Sequence, residues 1–114
     1  MIQKETREKI LQKAISLEKF GMRDLAWEKE DAKHLIMSLM FDDIGILGGD
    51  VYKVDLTRIV PTYDNWSCEQ KNQESKRDYF FRSKTETFEY INQYPVDQNE
   101  QILFSIVFNE IIDS

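Results

Sequence analysis

The spacing of apolar residues changes along the chain, and each change marks an element. Ile10, Leu11, Ala14, Ile15 and Leu17 lie close to an i, i+1, i+4, i+5, i+7 arrangement. That spacing predicts one apolar stripe on a helix over residues 2–19. Gly21 follows where a left-handed cap would end it. Ala32, Leu35, Ile36, Leu39 and Met40 then repeat at i, i+3, i+4, i+7 and i+8, predicting a second helix over 28–41. Glu28, Glu30 and Asp31 fall in its first turn, where the helix dipole favours anions. Trp27 is placed to staple the approach to it.

From residue 44 the period shortens to that of a strand. Residues 44–54 read as one strand, 55–58 as a turn, and 59–66 as a returning strand, together an antiparallel hairpin. Gly48 and Gly49 interrupt the first strand, so at least one of them is expected to take positive φ or to let another backbone approach closely. Pro61 places the returning strand at an edge or a bulge, because it cannot donate to a ladder. Residues 67–74 are polar and read as loop. Ser75, with Asp78 three residues on, resembles a capping box. The helix that follows, over 75–93, carries Phe81, Phe88 and Ile91 on one face and ends before Pro95. Finally Ile102, Leu103, Phe104, Ile106 and Val107 form a near-continuous apolar run within 101–110. Such a run suits a strand buried on both faces, hence a central one. The expected fold is a single α+β domain over 1–114, with a small antiparallel or mixed sheet against about three helices in the order α-α-β-β-α-β.

Composition narrows the class. At 114 residues the chain is long enough for one core, and no apolar run reaches the roughly 18 residues that a membrane helix needs. The N-terminus, Met1-Ile2-Gln3-Lys4-Glu5-Thr6-Arg7, lacks the apolar stretch of a secretory signal. Cys68 is the single cysteine, so no intrachain disulfide forms, which fits a reducing cytoplasm. The net charge of −6 is uneven: +1 over residues 1–30, −3 over 31–66 and −4 over 67–114, with no Lys or Arg after Lys84. Nucleic-acid binding needs the opposite bias. Acidic surface suits a basic protein partner, and it also serves plain solubility.

Catalytic and metal chemistry find little purchase. The Gly48-Gly49-Asp50 triplet lacks the Lys and the following helix of a phosphate loop. His34 is the single histidine and has no ligand-spaced companion, so a metal site with Asp50 and Asp64 is disfavoured. Cys68 is followed by Glu69, whose charge would raise the thiol pKa. No cofactor is expected. The aromatic residues carry more. Tyr52, Tyr63, Trp66, Tyr79, Phe80, Tyr90 and Tyr94 exceed what one small core needs, and Tyr and Trp are favoured interface anchors. Trp66, after Asp64-Asn65, either stands on an exposed loop or folds back to cap the core.

Three segments together resemble a known family. Ile46-Leu47-Gly48-Gly49-Asp50-Val51-Tyr52, then Pro61-Thr62-Tyr63-Asp64-Asn65-Trp66, then the helix with Tyr79, Arg82, Ser83, Tyr90 and Ile91 before the apolar last strand are similar to the immunity protein 40 family of bacterial polymorphic toxin systems. The likeness spans about residues 20–110. The chain departs from it at Glu28, where a Ser or Thr cap is expected. The resemblance implies a cytoplasmic protein that binds and neutralises a cognate toxin domain, with no enzymatic activity, cofactor, nucleic-acid or membrane contact of its own. Charge and aromatic content nominate Asp42, Asp43, Asp64, Trp66, Asp97 and Glu100 for partner binding. Gly48, Gly49, Asp50 and Asn65 are nominated as structural motif. The competing functions are a regulatory or scaffold protein and a small enzyme using Asp50 and Asp64.

Overall fold

The structure is a computed structural model that describes residues 15–16 and 25–109. Its elements in chain order are β1 (Ile15–Ser16), β2 (Leu25–Glu28), α1 (Lys29–Ser38), β3 (Ile46–Asp55), β4 (Arg58–Ser67), α2 (Lys76–Gln93) and β5 (Gln101–Phe108). The strands form one antiparallel sheet in the order β1-β2-β5-β3-β4. β5 occupies the middle, and Ile102 through Ile106 along it are all buried. The expectation from its two apolar faces holds. Alternation sends Ile102, Phe104 and Ile106 into the main core with Trp27, Leu35, Ile36, Ile46, Val51 and Ile91. Leu103 faces the other way, with Ala26 and Tyr52.

The expected α+β class stands, but the element order does not. Ile15–Ser16 pairs with β2, so a helix running through 19 is excluded at that point. The rest of the expected 2–19 helix and its Gly21 cap lie outside the described residues. Among the described residues there are two helices, α1 and α2. Trp27 is not a staple before a helix. It is a buried strand residue paired with Phe104. Four residues are too short to show a period, and the helical pattern begins at the next one. Glu28 is the N-cap of α1 without a side-chain cap bond. Its carboxylate instead accepts a hydrogen bond from Gln101 Nε2 at 2.9 Å.

Ser75 does cap α2, accepting from the Asp78 N–H at 3.1 Å. Of the face expected for α2, Ile91 is buried and Phe88 packs against the core, but Phe81 does not join them. Phe81 is 56% exposed, and the buried stripe is Tyr79, Ser83, Lys84, Thr87 and Ile91. Polar side chains line it because each has a backbone or side-chain partner, which removes the penalty of burial. Tyr79 hydroxyl donates to the Ile46 carbonyl at 2.9 Å, and Ser83 Oγ accepts from the Ile46 N–H at 3.0 Å. The ladder shifts register between Ile46 and Gly48, and α2 satisfies the backbone groups at the start of that bulge. Lys84 Nζ donates to the carbonyls of Leu39 at 2.8 Å and Asp42 at 2.6 Å. Those lie at and just beyond the C-terminus of α1, where no basic residue stands in the last turn. Lys84 therefore supplies from a second helix the donors that a helix end lacks. Burial lowers its pKa, opposed by the nearby charges of Asp42 and Asp43.

Candidate functional site

The site is built where β4 meets α2. Asp50 pairs with Asn65 and Tyr52 with Pro61, so Val51 alone stands opposite Thr62, Tyr63 and Asp64. β4 thus bulges outward just after its proline, and it is an edge strand. Both readings of Pro61 are met. The bulge is fixed by short-range bonds. Thr62 Oγ1 donates to the Val51 carbonyl at 3.0 Å and accepts from the Asp64 N–H at 3.1 Å. Asn65 Nδ2 donates to the Tyr63 carbonyl at 3.2 Å. Tyr63 sits at φ 71°, a left-handed conformation that a bulky residue seldom adopts, and its side chain is 84% exposed.

Below the bulge runs a row of aromatic rings. Trp66 stacks on Tyr90 with centroids 4.7 Å apart, Tyr90 meets Tyr94 at 6.1 Å, and Tyr94 meets Phe104 edge-on at 5.5 Å. Trp66 Nε1 donates to Thr87 Oγ1 at 3.0 Å, so the indole folds back onto the core and is half-buried. Asp64 crowns the row, accepting from the Tyr94 hydroxyl at 2.6 Å. Burial first, then that bond to the carboxylate, raises the Tyr94 pKa. The indole can lie this close because residue 49 has no side chain. A Cβ there would run into the Trp66 ring and the Ser105 carbonyl. Gly48 has φ +148°, and a Cβ on it would meet the Trp66 carbonyl. Both clauses of the glycine expectation are met. Leu47 and Val107, each nearly half exposed, flank the two glycines with Asp50 and Asn65 around a shallow cavity of about 240 Å³.

The remaining candidates lie elsewhere. Asp42 and Asp43 follow α1 beside a cavity of about 440 Å³ that Phe41, Phe80, Phe81, Arg77 and Asp78 also line. Phe41 there is 74% exposed. Asp97 and Glu100 form a turn before β5, where Glu100 pairs with Lys53 at 3.3 Å. Asp42 and Asp43 precede the Ile46 end of β3, whereas Glu100 meets Lys53 near its Asp55 end. The six partner-binding candidates therefore occupy three places. Sequence reasoning named Tyr63 only among the aromatic residues surplus to the core, passed over Phe41, and placed Phe81 on the buried face of its helix. For Tyr63 the signal was present in the turn-forming Pro61, Asp64 and Asn65 around it.

The Cys68 thiol is buried, and its pKa is raised first by that burial, with Glu86 adding to it and a bond to Thr87 opposing. The neighbour that matters is Glu86 rather than the adjacent Glu69. His34 is exposed, and among the described residues no group of three or more His, Cys, Asp and Glu could hold a metal ion. Among the same residues no helix is long and apolar enough to cross a membrane. Asp64 is engaged by Tyr94, while Asp50 lies in a lateral row with Ser105 and Asn65.

An edge-strand bulge over an aromatic row, with acidic groups and exposed rings at the surface, marks this small α+β domain. The model of the family described as immunity protein 40 matches residues 16–108, and the chain belongs to that family. No curated protein and no solved structure matches the chain.

Proposed function

We propose that this chain binds and neutralises a cognate bacterial toxin domain in the cytoplasm, that the toxin domain carries positive potential, and that no catalysis by the chain is involved. Membership of the immunity protein 40 family carries the reading. Acidic and aromatic surface drawn from residues 42–66 and 96–113 supplies the contact. Asp42, Asp43, Asp64, Asp97 and Glu100 attract the partner, and aromatic residues including Trp66 provide affinity. In support, Asp42 and Asp43 stand beside the exposed rings of Phe41 and Phe81. Complementary charge speeds encounter, while a few desolvated anchors hold the complex.

The test is co-expression with the toxin domain encoded by the adjoining gene. A stable complex and survival of the producing cells are expected. Reversing Asp42, Asp43, Asp97 and Glu100 to Lys together should slow association at low salt and flatten its salt dependence, with melting measured alongside and the Asp97–Glu100 double reversal as a second variant, because Asp42 and Asp43 also offset the burial of Lys84. The Glu100–Lys53 pair it breaks is partly exposed and contributes little. No complex and no protection would sink the function. Association at the parent's rate at low salt would sink the electrostatic part.

A further inference from the structure

We propose that the cavity between the C-terminal end of α1 and the first turns of α2 is the anchor pocket of the toxin contact. It takes one apolar side chain of the toxin domain between Phe41 and Phe81, with a Lys or Arg of that domain beside it at the acidic rim. This rests on the toxin-binding reading above and names the rings that anchor it and what they receive.

The first ground is where the exposed rings stand. Among the described residues two phenylalanines are more than half exposed, Phe41 and Phe81, and both line the same cavity of about 440 Å³. Met40 and Phe80, half-buried, line it with them. A single exposed apolar residue is ordinary, as Leu56 is between β3 and β4. Apolar side chains gathered around a concavity mark a binding surface instead. The isolated fold gains little from either ring, since more than half of each stays in water.

The second ground is that the two walls are fixed to each other. Lys84 lies three residues after Phe81, on the same side of α2. Its ammonium donates to the carbonyls of Leu39 and Asp42, which bracket Phe41. Backbone bonds close the same stretch, from the Asp42 N–H to Leu39 at 3.0 Å and from the Ile44 N–H to Asp42 at 2.8 Å. The cavity is therefore formed before a partner arrives. Little backbone freedom is left to lose on binding, which is where preorganised sites gain affinity.

The third ground selects the occupant. Asp42, Asp43 and Asp78 line the cavity with Arg77 and Lys84. Lys84 is buried and turns its ammonium to the two carbonyls, so the rim carries three carboxylates to one exposed guanidinium. A second copy of this chain fits such a rim badly. An isologous contact sets the same patch against itself, and each copy carries a net charge of −6. An apolar side chain with a basic neighbour fits both parts, the rings by burial and the carboxylates by charge.

The experiment uses the full chain and the toxin domain of the adjoining gene, with calorimetric binding, thermal melting and sedimentation read on each variant. Phe41→Gln and Phe81→Gln each remove one exposed ring. Each should melt within about 2 °C of the parent and bind at least about tenfold more weakly. Phe41→Leu and Phe81→Leu keep apolar surface and should bind within about fivefold of the parent. Asp43→Asn should lose up to about fivefold at low salt and almost nothing at high salt. Glutamine variants that bind like the parent overturn the pocket while leaving the toxin-binding function intact. Glutamine variants that melt clearly lower overturn it too, because the rings would then serve the fold. Asp43→Asn that binds as tightly as the parent at low salt overturns the basic neighbour. A parent that self-associates and becomes monomeric on Phe81→Gln overturns the pocket in favour of a second copy. A parent chain that captures no toxin domain overturns the function and this pocket together.

Discussion

Replacing Gly49 by Ala adds one methyl group at the place where three parts of the molecule meet. The new Cβ would overlap the Ser105 carbonyl oxygen of the central strand and the far edge of the Trp66 indole, whose Cζ2 would lie only 2.6 Å away. The oxygen cannot retreat without disturbing the β3–β5 ladder, in which Gly49 pairs with Ile106 and Asp50 with Ser105. The indole can retreat only by giving up its bond to Thr87 and its stack on Tyr90. Overpacking of this kind costs about 1–3 kcal/mol, and loss of the indole bond adds about 1 kcal/mol. We expect a total near 2–4 kcal/mol. Unfolding a chain of 114 residues carries an entropy of about 240 cal/mol/K at roughly 2.1 per residue. One kcal/mol then moves Tm by about 4 °C, so Gly49→Ala should melt about 8–16 °C lower. Circular dichroism melting measures this, and tryptophan fluorescence reports the cause. Trp27 is buried in the core, so a red shift of emission in the native state marks displacement of Trp66. A Gly49→Ala variant that melts within about 2 °C of the parent, with unchanged emission, would refute the close-approach argument.

Two further perturbations follow from buried or paired charges. Lys84→Met keeps the stem but removes the donors to Leu39 and Asp42, and urea unfolding at pH 7 should show a loss of about 1–3 kcal/mol. Because burial lowers the folded pKa of Lys84, the unfolded chain binds more protons just below the ordinary lysine value. The parent should therefore gain stability over Lys84→Met as pH rises through that window, and a gap that narrows would count against it. Glu74 receives Arg82 through Nε at 2.7 Å and Nη2 at 2.9 Å, which, with the Lys71 N–H, holds its pKa at about 2. A lowered carboxylate stabilises above its unfolded pKa and ceases to as pH falls through its folded one. The Tm difference between parent and Glu74→Gln should be full above about pH 4.5 and vanish near pH 2, and a difference that persists at pH 2 would refute the pairing.

Periodicity located β3, β4, β5 and both described helices to within about three residues, the largest miss being the end of α1 at Ser38, because each is long enough for its apolar spacing to repeat. It failed where the repeat is absent or is not apolar. β2 has only Leu25, Ala26, Trp27 and Glu28, and its strand character comes from pairing with β5, a contact of high sequence separation. The buried face of α2 was right at Phe88 and Ile91 and wrong at Phe81, because hydrophobicity was used as the sign of burial. Ser83, Lys84 and Thr87 are inside because Ile46, Leu39, Asp42 and Trp66 offer them partners. Those partners come from other elements and leave no trace in the local pattern. At the candidate site, Gly48 and Gly49 were legible as a backbone requirement, since only a missing side chain admits the Trp66 carbonyl and indole. Around Tyr63 the turn was legible in Pro61, Asp64 and Asn65, but its left-handed backbone was not, because that is produced by its neighbours' bonds rather than by tyrosine's own preference.

The interior of this domain holds a lysine, a tyrosine, a serine and a threonine on one helix face, and among the described residues no buried side-chain nitrogen or oxygen lacks a partner. The surface meanwhile carries Phe41, Tyr63 and Phe81, each more than half exposed. Polar groups that could have met a partner are consumed in docking α2 onto the sheet, and apolar rings that could have filled a core are left outside. Removing an inner polar group breaks bonds that the fold requires, so binding would be lost only together with stability. Removing an outer ring costs the fold little area, so binding can change alone. Stability and affinity should therefore respond to separate sets of residues, with Trp66 as the point of overlap, since its indole both caps the core and reaches the surface beside Asp64.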